Sequence, residues 1–234
     1  MSTYNVPWKN SKLKEVFSYR LWDSLSIIKQ AKKKKHLLNQ LKEEKNIILV
    51  HIPKTAGVSI ITAYRDSFAE ARHTTALHYK CLLANDFCKF KTFSIVRNPW
   101  ARLLSAYNFL MQGGLTVDDR NMGAVLNREC NTFDEFIKNW LPRHSVYSFT
   151  HFIPQNEFVC GFGDKIIVDE IVKLESLDSD WVQVTQRLGL PYRRLAKENS
   201  TKLEKNYSDF YDDESKEIVA ELYKKDIVLF DYDF

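Results

Sequence analysis

The 234-residue sequence predicts an α/β fold in which a central parallel sheet is flanked by helices in three layers. Three observations carry this expectation. Short β-branched and apolar runs, Ile47–Ile52 and Thr92–Val96 foremost, alternate with stretches whose apolar residues recur at helical spacing. Both runs stop at punctuation from which a helix sets out, Pro53–Gly57 after the first and Arg97-Asn98-Pro99 after the second. The composition, 44% hydrophobic and 27% charged with only 7 Gly and 6 Pro, suits regular elements around a sizeable core.

Taken in order, residues 1–45 read as a basic helical N-terminal extension to a domain at 46–234. The first 46 residues hold 11 Lys/Arg against 4 Asp/Glu, a net of +7, whereas the remainder carries −3. Between Leu21 and Leu41 apolar residues at 21, 22, 25, 28, 37, 38 and 41 alternate with lysines, including the run Lys32–Lys35. That pattern suits amphipathic helices with a solvated basic face, which could meet a polyanion or an acidic membrane surface. No nucleic-acid partner is expected.

Strand 47–52 should feed a helix over Val58–Phe68, with Ile60, Ile61, Tyr64 and Phe68 as its inner stripe. A strand or loop near Ala71–Thr75 and a short helix carrying Leu77, Leu82 and Leu83 come next. After strand 92–96, Asn98 suits a helix N-cap and Pro99 the first helical position, where its missing N–H costs nothing. Gly113-Gly114 should end that helix and open a mobile loop over 114–130. Thr132-Phe-Asp-Glu135 is a capping box for a helix that stops at Leu141-Pro142. Lys165–Val168 and Glu170–Leu174 read as strand, and Leu177–Leu188 as a helix closed by Gly189. Lys197–Asn206 reads as loop. A last helix over Asp212–Lys224 matches its acidic start and basic end to the helix dipole, and Phe230, Tyr232 and Phe234 should pack a tail onto the body.

The cysteines Cys81, Cys88, Cys130 and Cys160 show neither C-x-x-C nor zinc-site spacing, so they read as free, mostly buried thiols in a reducing compartment. With no apolar run long enough to span a bilayer and no signal peptide, the expected location is cytoplasmic. No metal site is expected.

Chemistry concentrates in two motifs. Pro53-Lys54-Thr55-Ala56-Gly57-Val58-Ser59 is a P-loop-like strand–turn–helix junction. Small residues let the backbone approach an anion, Lys54 supplies charge, and Thr55 and Ser59 supply hydroxyls. It is not the nucleotide-triphosphatase pattern, because the lysine precedes the glycine and Pro53 replaces the leading glycine. The second motif, Ile95 to Tyr107, puts Arg97 at a strand end and Ser105 two turns into the next helix. Seven residues beyond the N-cap is about 10 Å along the axis, so a ligand shared by Arg97 and Ser105 must lie beside this helix and not at its tip.

H-I-P-K-T-A-G-V-S followed about forty residues later by V-R-N-P-W-A-R-L-L-S-A-Y resembles the sulfotransferase superfamily, in the branch related to Golgi carbohydrate sulfotransferases and their bacterial relatives. Ile171–Glu175, Asn199-Ser200, Tyr207, Tyr223–Asp226 and Phe230–Tyr232 also resemble that branch, so the likeness runs from about residue 47 to the end. It implies a sulfotransferase that moves the sulfuryl group of 3′-phosphoadenosine-5′-phosphosulfate (PAPS) to an acceptor hydroxyl, most often on a carbohydrate, with release of adenosine 3′,5′-bisphosphate (PAP). It implies that Lys54, Thr55, Ala56, Gly57, Val58 and Ser59 hold the 5′-phosphosulfate, Val58 standing where threonine is common. Arg97 and Ser105 would hold the 3′-phosphate. Lys54 and a histidine would be catalytic: His73 first, with His78 in reserve. His151 and Gln155, in H-F-I-P-Q, would lie near the acceptor. The competing readings are a nucleotide-dependent phosphotransferase (a kinase), which magnesium dependence would reveal, and a non-catalytic nucleotide- or polyanion-binding protein.

Overall fold

The computed structural model describes residues 19–21, 31–43, 45–195 and 206–234. Tyr4, Trp8, Phe17 and Trp22, the first half of the expected basic helical segment, and most of the 197–206 loop lie outside the described residues. In chain order the elements begin with α1 (Ala31–Lys42), β1 (Ile47–Leu49), α2 (Gly57–Tyr64), β2 (Phe68–Glu70), α3 (Ala76–Leu83) and β3 (Lys91–Val96). They continue through α4 (Pro99–Met111), α5 (Val117–Glu129), α6 (Phe133–Glu135), a π-helical turn at Phe136–Trp140, α7 (Leu141–His144) and α8 (Asn156–Val159). The chain closes with β4 (Glu170–Lys173), α9 (Leu177–Leu188), α10 (Asp213–Leu222) and α11 (Lys224–Phe230). Among the described residues no helix is long and apolar enough to cross a membrane.

The chain divides into two compact units, one from 18–97 and 155–201, the other chiefly from 98–154 and 202–234. The first holds the sheet. Its four strands run in the order β2-β1-β3-β4, all parallel, as the alternation of strands and helices predicts. Ile47, Leu49, Phe93, Ile95 and Val172 on one face pack with Ile60 and Tyr64 of α2 and with Trp181, Val184 and Leu188 of α9. Ile48, Val50, Ser94 and Val96, on the other face, are equally buried, so both sides of the sheet are covered. Asp169, just ahead of β4, accepts hydrogen bonds from the amide and the hydroxyl of Thr92, both at 2.8 Å, and so ties β4 to the start of β3.

Before residue 46, Leu37 is fully buried and Arg20 nearly so, with its guanidinium bonded to Asp164 and 3.7 Å from Glu157. The described part of this segment therefore packs into the unit that holds the sheet. Phe68 corrects the expected α2 stripe. The helix ends at Tyr64, and Phe68 pairs with Ile47 in the edge strand β2.

In the second unit α4 begins as the punctuation predicts. Asn98 Oδ1 accepts from the amides of Trp100 and Ala101, while its Nδ2 donates to the Asp233 carbonyl at 2.7 Å and to the Tyr207 hydroxyl. One side chain thus caps the helix and holds the C-terminal tail, whose Phe234 ring meets Trp100 edge-on. The core gathers Leu103, Leu104, Tyr107, Phe136, Trp140, Phe152 and Val219.

The expected loop over 114–130 is instead the helix α5, opened by a Thr116–Asp119 capping box. Gly123 belongs there because a Cβ would lie 2.2 Å from the Leu110 carbonyl oxygen of α4. The helix also does not stop at Leu141-Pro142. Pro142 has no N–H for the Lys138 carbonyl, so the bonding slips to the wider Leu141 N–H to Phe136 carbonyl pairing and the helix continues to His144. All four cysteines are free thiols, but Cys81 and Cys88 are exposed, which corrects the expectation that most are buried. Burial pushes the Cys130 thiol up to about 11.

Candidate functional site

The sheet order defines where a ligand belongs. From β1 the chain moves outward to β2, then returns to β3 on the other side of β1, so the topological switch point lies between the carboxyl ends of β1 and β3. Open parallel sheets bind ligands at such points. The turn 53–57 follows β1, and Arg97 follows β3.

The turn is built from strained residues. Lys54 (φ 71°) and Ala56 (φ 61°) both adopt the left-handed conformation with Thr55 between them, at a cost of about 1–3 kcal/mol each for residues with a Cβ. Alternation of this kind curls successive N–H groups toward one point and forms an anion-binding nest. Ala56 is the N-cap of α2 and has no side chain to cap the helix, whose first amides lack intrahelical acceptors. The Thr55 hydroxyl donates to the Ile52 carbonyl at 2.9 Å and is almost completely buried, so it braces the turn from within. Ser59 is buried in the first turn of α2, Val58 is exposed, and Lys54 is half-buried.

His51, to which no role was assigned from sequence, sets the shape behind the nest. A Cβ on Gly57 would lie 2.0 Å from His51 Nε2 and 2.1 Å from Cδ2, so the imidazole occupies the space that only glycine leaves. Gly57→Ala should force that ring out of place and lower the melting temperature by roughly 2–10 °C, the range expected for about 1–3 kcal/mol of overpacking. A melting curve identical to wild type would show that His51 moves aside freely.

Arg97 is held at both ends. Its amide donates to Gln155 Oε1 at 2.9 Å, and Gln155 Nε2 donates back to the Arg97 carbonyl at 2.8 Å. Nη1 of the guanidinium donates to the Lys54 carbonyl at 3.3 Å, so the ends of both motifs meet. Gln155 is fully buried. Its amide holds the backbone of Arg97, a different task from the acceptor contact implied by resemblance.

The two candidate histidines separate clearly. His73 is exposed and stands at the apex of a tight turn closed by the Thr74 amide and the Arg72 carbonyl at 2.7 Å. Its Nδ1 lies 2.7 Å from the His51 carbonyl, and the two imidazoles sit 4.2 Å apart between centroids. A carbonyl only accepts, so Nδ1 carries the proton and Nε2 of the neutral ring is left as the basic atom. His78 is 2% exposed in the first turn of α3, where its amide donates to the N-cap Thr75.

Ser105 and His151 belong to the second unit. Ser105 is half-buried on α4. His151 is sandwiched between Phe109 and Phe149, and its Nδ1 lies 3.7 Å from Asp119 Oδ1. Burial pushes the Asp119 carboxyl up, but bonds from the Thr116 amide and hydroxyl, the charge of His151 and the Leu115 amide more than offset it, so its pKa falls below the usual value. Arg102, wholly buried, donates to the carbonyls of His151 and Ile153 and fixes that segment. Among the described residues, no group of three or more His, Cys, Asp or Glu is arranged to hold a metal ion.

The structure thus joins an all-parallel α/β sheet to a turn with two left-handed residues, with Lys54 and Arg97 at the switch point, an arrangement suited to an anionic group. The model of the sulfotransferase family matches residues 40–233, and the chain belongs to that family. An uncharacterized protein of Archaeoglobus fulgidus is 29% identical over 106 residues, covering 45% of this chain and 72% of that one. No solved structure gives a significant match.

Proposed function

We propose that this sulfotransferase uses PAPS as donor and a carbohydrate hydroxyl as acceptor. The observation that carries the donor assignment is the bond from Arg97 Nη1 to the Lys54 carbonyl, which gathers the residues at the ends of β1 and β3 around one point. A nucleotide phosphorylated at both ends of its ribose requires two cationic sites of this kind. The saccharide acceptor is supported by the likeness to the carbohydrate branch.

PAPS, when bound, supplies the sulfuryl group and leaves as PAP. The amides of residues 54–59 hold the 5′-phosphosulfate, and Lys54 neutralises the charge that builds on the departing phosphate oxygen. Arg97 holds the 3′-phosphate. Nε2 of His73 accepts the proton of the attacking hydroxyl as the new S–O bond forms and the old one breaks.

PAP at about 100 times its Kd should stabilise the full chain by about 2.7 kcal/mol, read as a thermal shift. Arg97→Ala should remove most of that shift while leaving the unliganded melting temperature within a few degrees of wild type. A shift with ATP but none with PAP would overturn the donor assignment. Transfer of labelled sulfate from PAPS to a panel of glycans, lipids and phenols tests the acceptor, and turnover confined to phenols would exclude the saccharide.

A further inference from the structure

Lys33, from the run of four lysines, does not behave like its neighbours. Lys32 and Lys35 are exposed and Lys34 is half-buried, whereas Lys33, also half-buried, shares a helix face with Leu37, one turn further on and fully buried. Its ammonium lies 3.7 Å from Glu70 Oε2, 3.5 Å from the Thr74 hydroxyl and 4.9 Å from the centre of the Tyr79 ring. Glu70 precedes His73 by three residues, Thr74 follows it directly, and Tyr79 lies in α3 beyond. Glu70 also accepts from the amide of Ala71 and pairs with Arg72 at 3.2 Å. The turn that lifts His73 is closed by a short hydrogen bond from the Thr74 amide to the Arg72 carbonyl. The imidazole is held by Nδ1 on the His51 carbonyl, and the Lys33 ammonium meets residues on both sides of His73, Glu70 before it and Thr74 after it, from outside.

We propose that Lys33 is a positioning residue for His73, clamping Glu70 and Thr74 so that Nδ1 stays on the His51 carbonyl and Nε2 stays available as the base. The proposal rests on the reading of His73 as the base. It gives the basic segment a part in turnover that a solvated lysine face would not have. A compact ammonium with three donors can serve two oxygens and an aromatic face together. Glutamine at 33 keeps a polar head on a side chain one bond shorter, and loses the charge that Glu70 and Tyr79 attract.

The test uses full-length, 15N-labelled protein and the variants Lys33→Gln, Lys33→Arg and Thr74→Val. Wild type should show the imidazole nitrogens of His73 in the Nδ1–H form. Lys33→Gln should move those signals toward tautomer averaging and lower kcat about tenfold at unchanged KM for PAPS, a loss of the kind that follows a small misplacement of a reacting group. Lys33→Arg should restore both, and Thr74→Val should shift the signals in the same direction by less. If Lys33→Gln lowers the melting temperature but leaves the His73 signals and kcat at wild-type values, Lys33 is only a structural contact and the proposal is overturned. His73→Ala with wild-type turnover would instead remove the base assignment beneath it, an outcome read without any Lys33 variant.

Discussion

Lys54→Ala should reduce sulfate transfer by at least about 10³-fold, since it removes a preorganised charge from the position where the leaving phosphate becomes more negative. The loss should fall on kcat, since in the proposed function Arg97 and the backbone amides would still hold the nucleotide. The left-handed backbone at position 54 allows a control that separates charge from strain. Glycine adopts φ 71° without the penalty that lysine or alanine bears there. Lys54→Gly should therefore be as inactive as Lys54→Ala, yet more stable than it by about 0.4–1 kcal/mol net of glycine's greater freedom in the unfolded chain, or a few degrees in melting temperature. Turnover above a tenth of wild type in Lys54→Ala would place the leaving-group cation elsewhere, with Arg97 the next residue to examine.

What could be read from sequence was the local grammar. The β1 turn and the β3–Asn98–Pro99 start of α4 announce themselves within a dozen residues, through a strand that stops, a small-residue turn or a cap, and a helical stripe. The helix α5 was missed for two physical reasons. Its face toward the core is narrow, with only Asp119, Gly123 and Leu126 buried, and a glycine that serves close helix contact looks like a breaker. Phe68 fits a helical period from Tyr64 and Ile61, yet pairing with Ile47 draws it into an edge strand. Long-range partners left no trace in the pattern. Gln155 grips Arg97 from 58 residues away, His73 bonds to His51 across 22, and Lys33 reaches Thr74 across 41. The motifs could name candidate residues for a ligand. The residues that aim them became visible only with the chain folded.

His73→Ala should lower kcat by about 10²–10⁴-fold, the usual contribution of a positioned general base, while the thermal shift produced by PAP stays as in wild type. The acidic limb of the pH–rate profile should vanish with it, because that limb records protonation of the atom that must accept the acceptor's proton. His78→Ala should behave in the opposite way. That ring is buried in α3, so its removal leaves a cavity and should appear as lost stability, with turnover per folded molecule little changed. The hydrogen bond from His73 Nδ1 to the His51 carbonyl makes the contrast sharp. It fixes which nitrogen is basic, and the same carbonyl belongs to the residue whose ring fills the space beside Gly57. The proposed base and the nest therefore both lean on one histidine, His51. A change there should disturb proton transfer and anion binding together, whereas His73→Ala separates them. If His73→Ala and Lys54→Ala each lost PAP binding and turnover in parallel, these residues would shape a single binding pocket, and the division between base and leaving-group cation would be wrong.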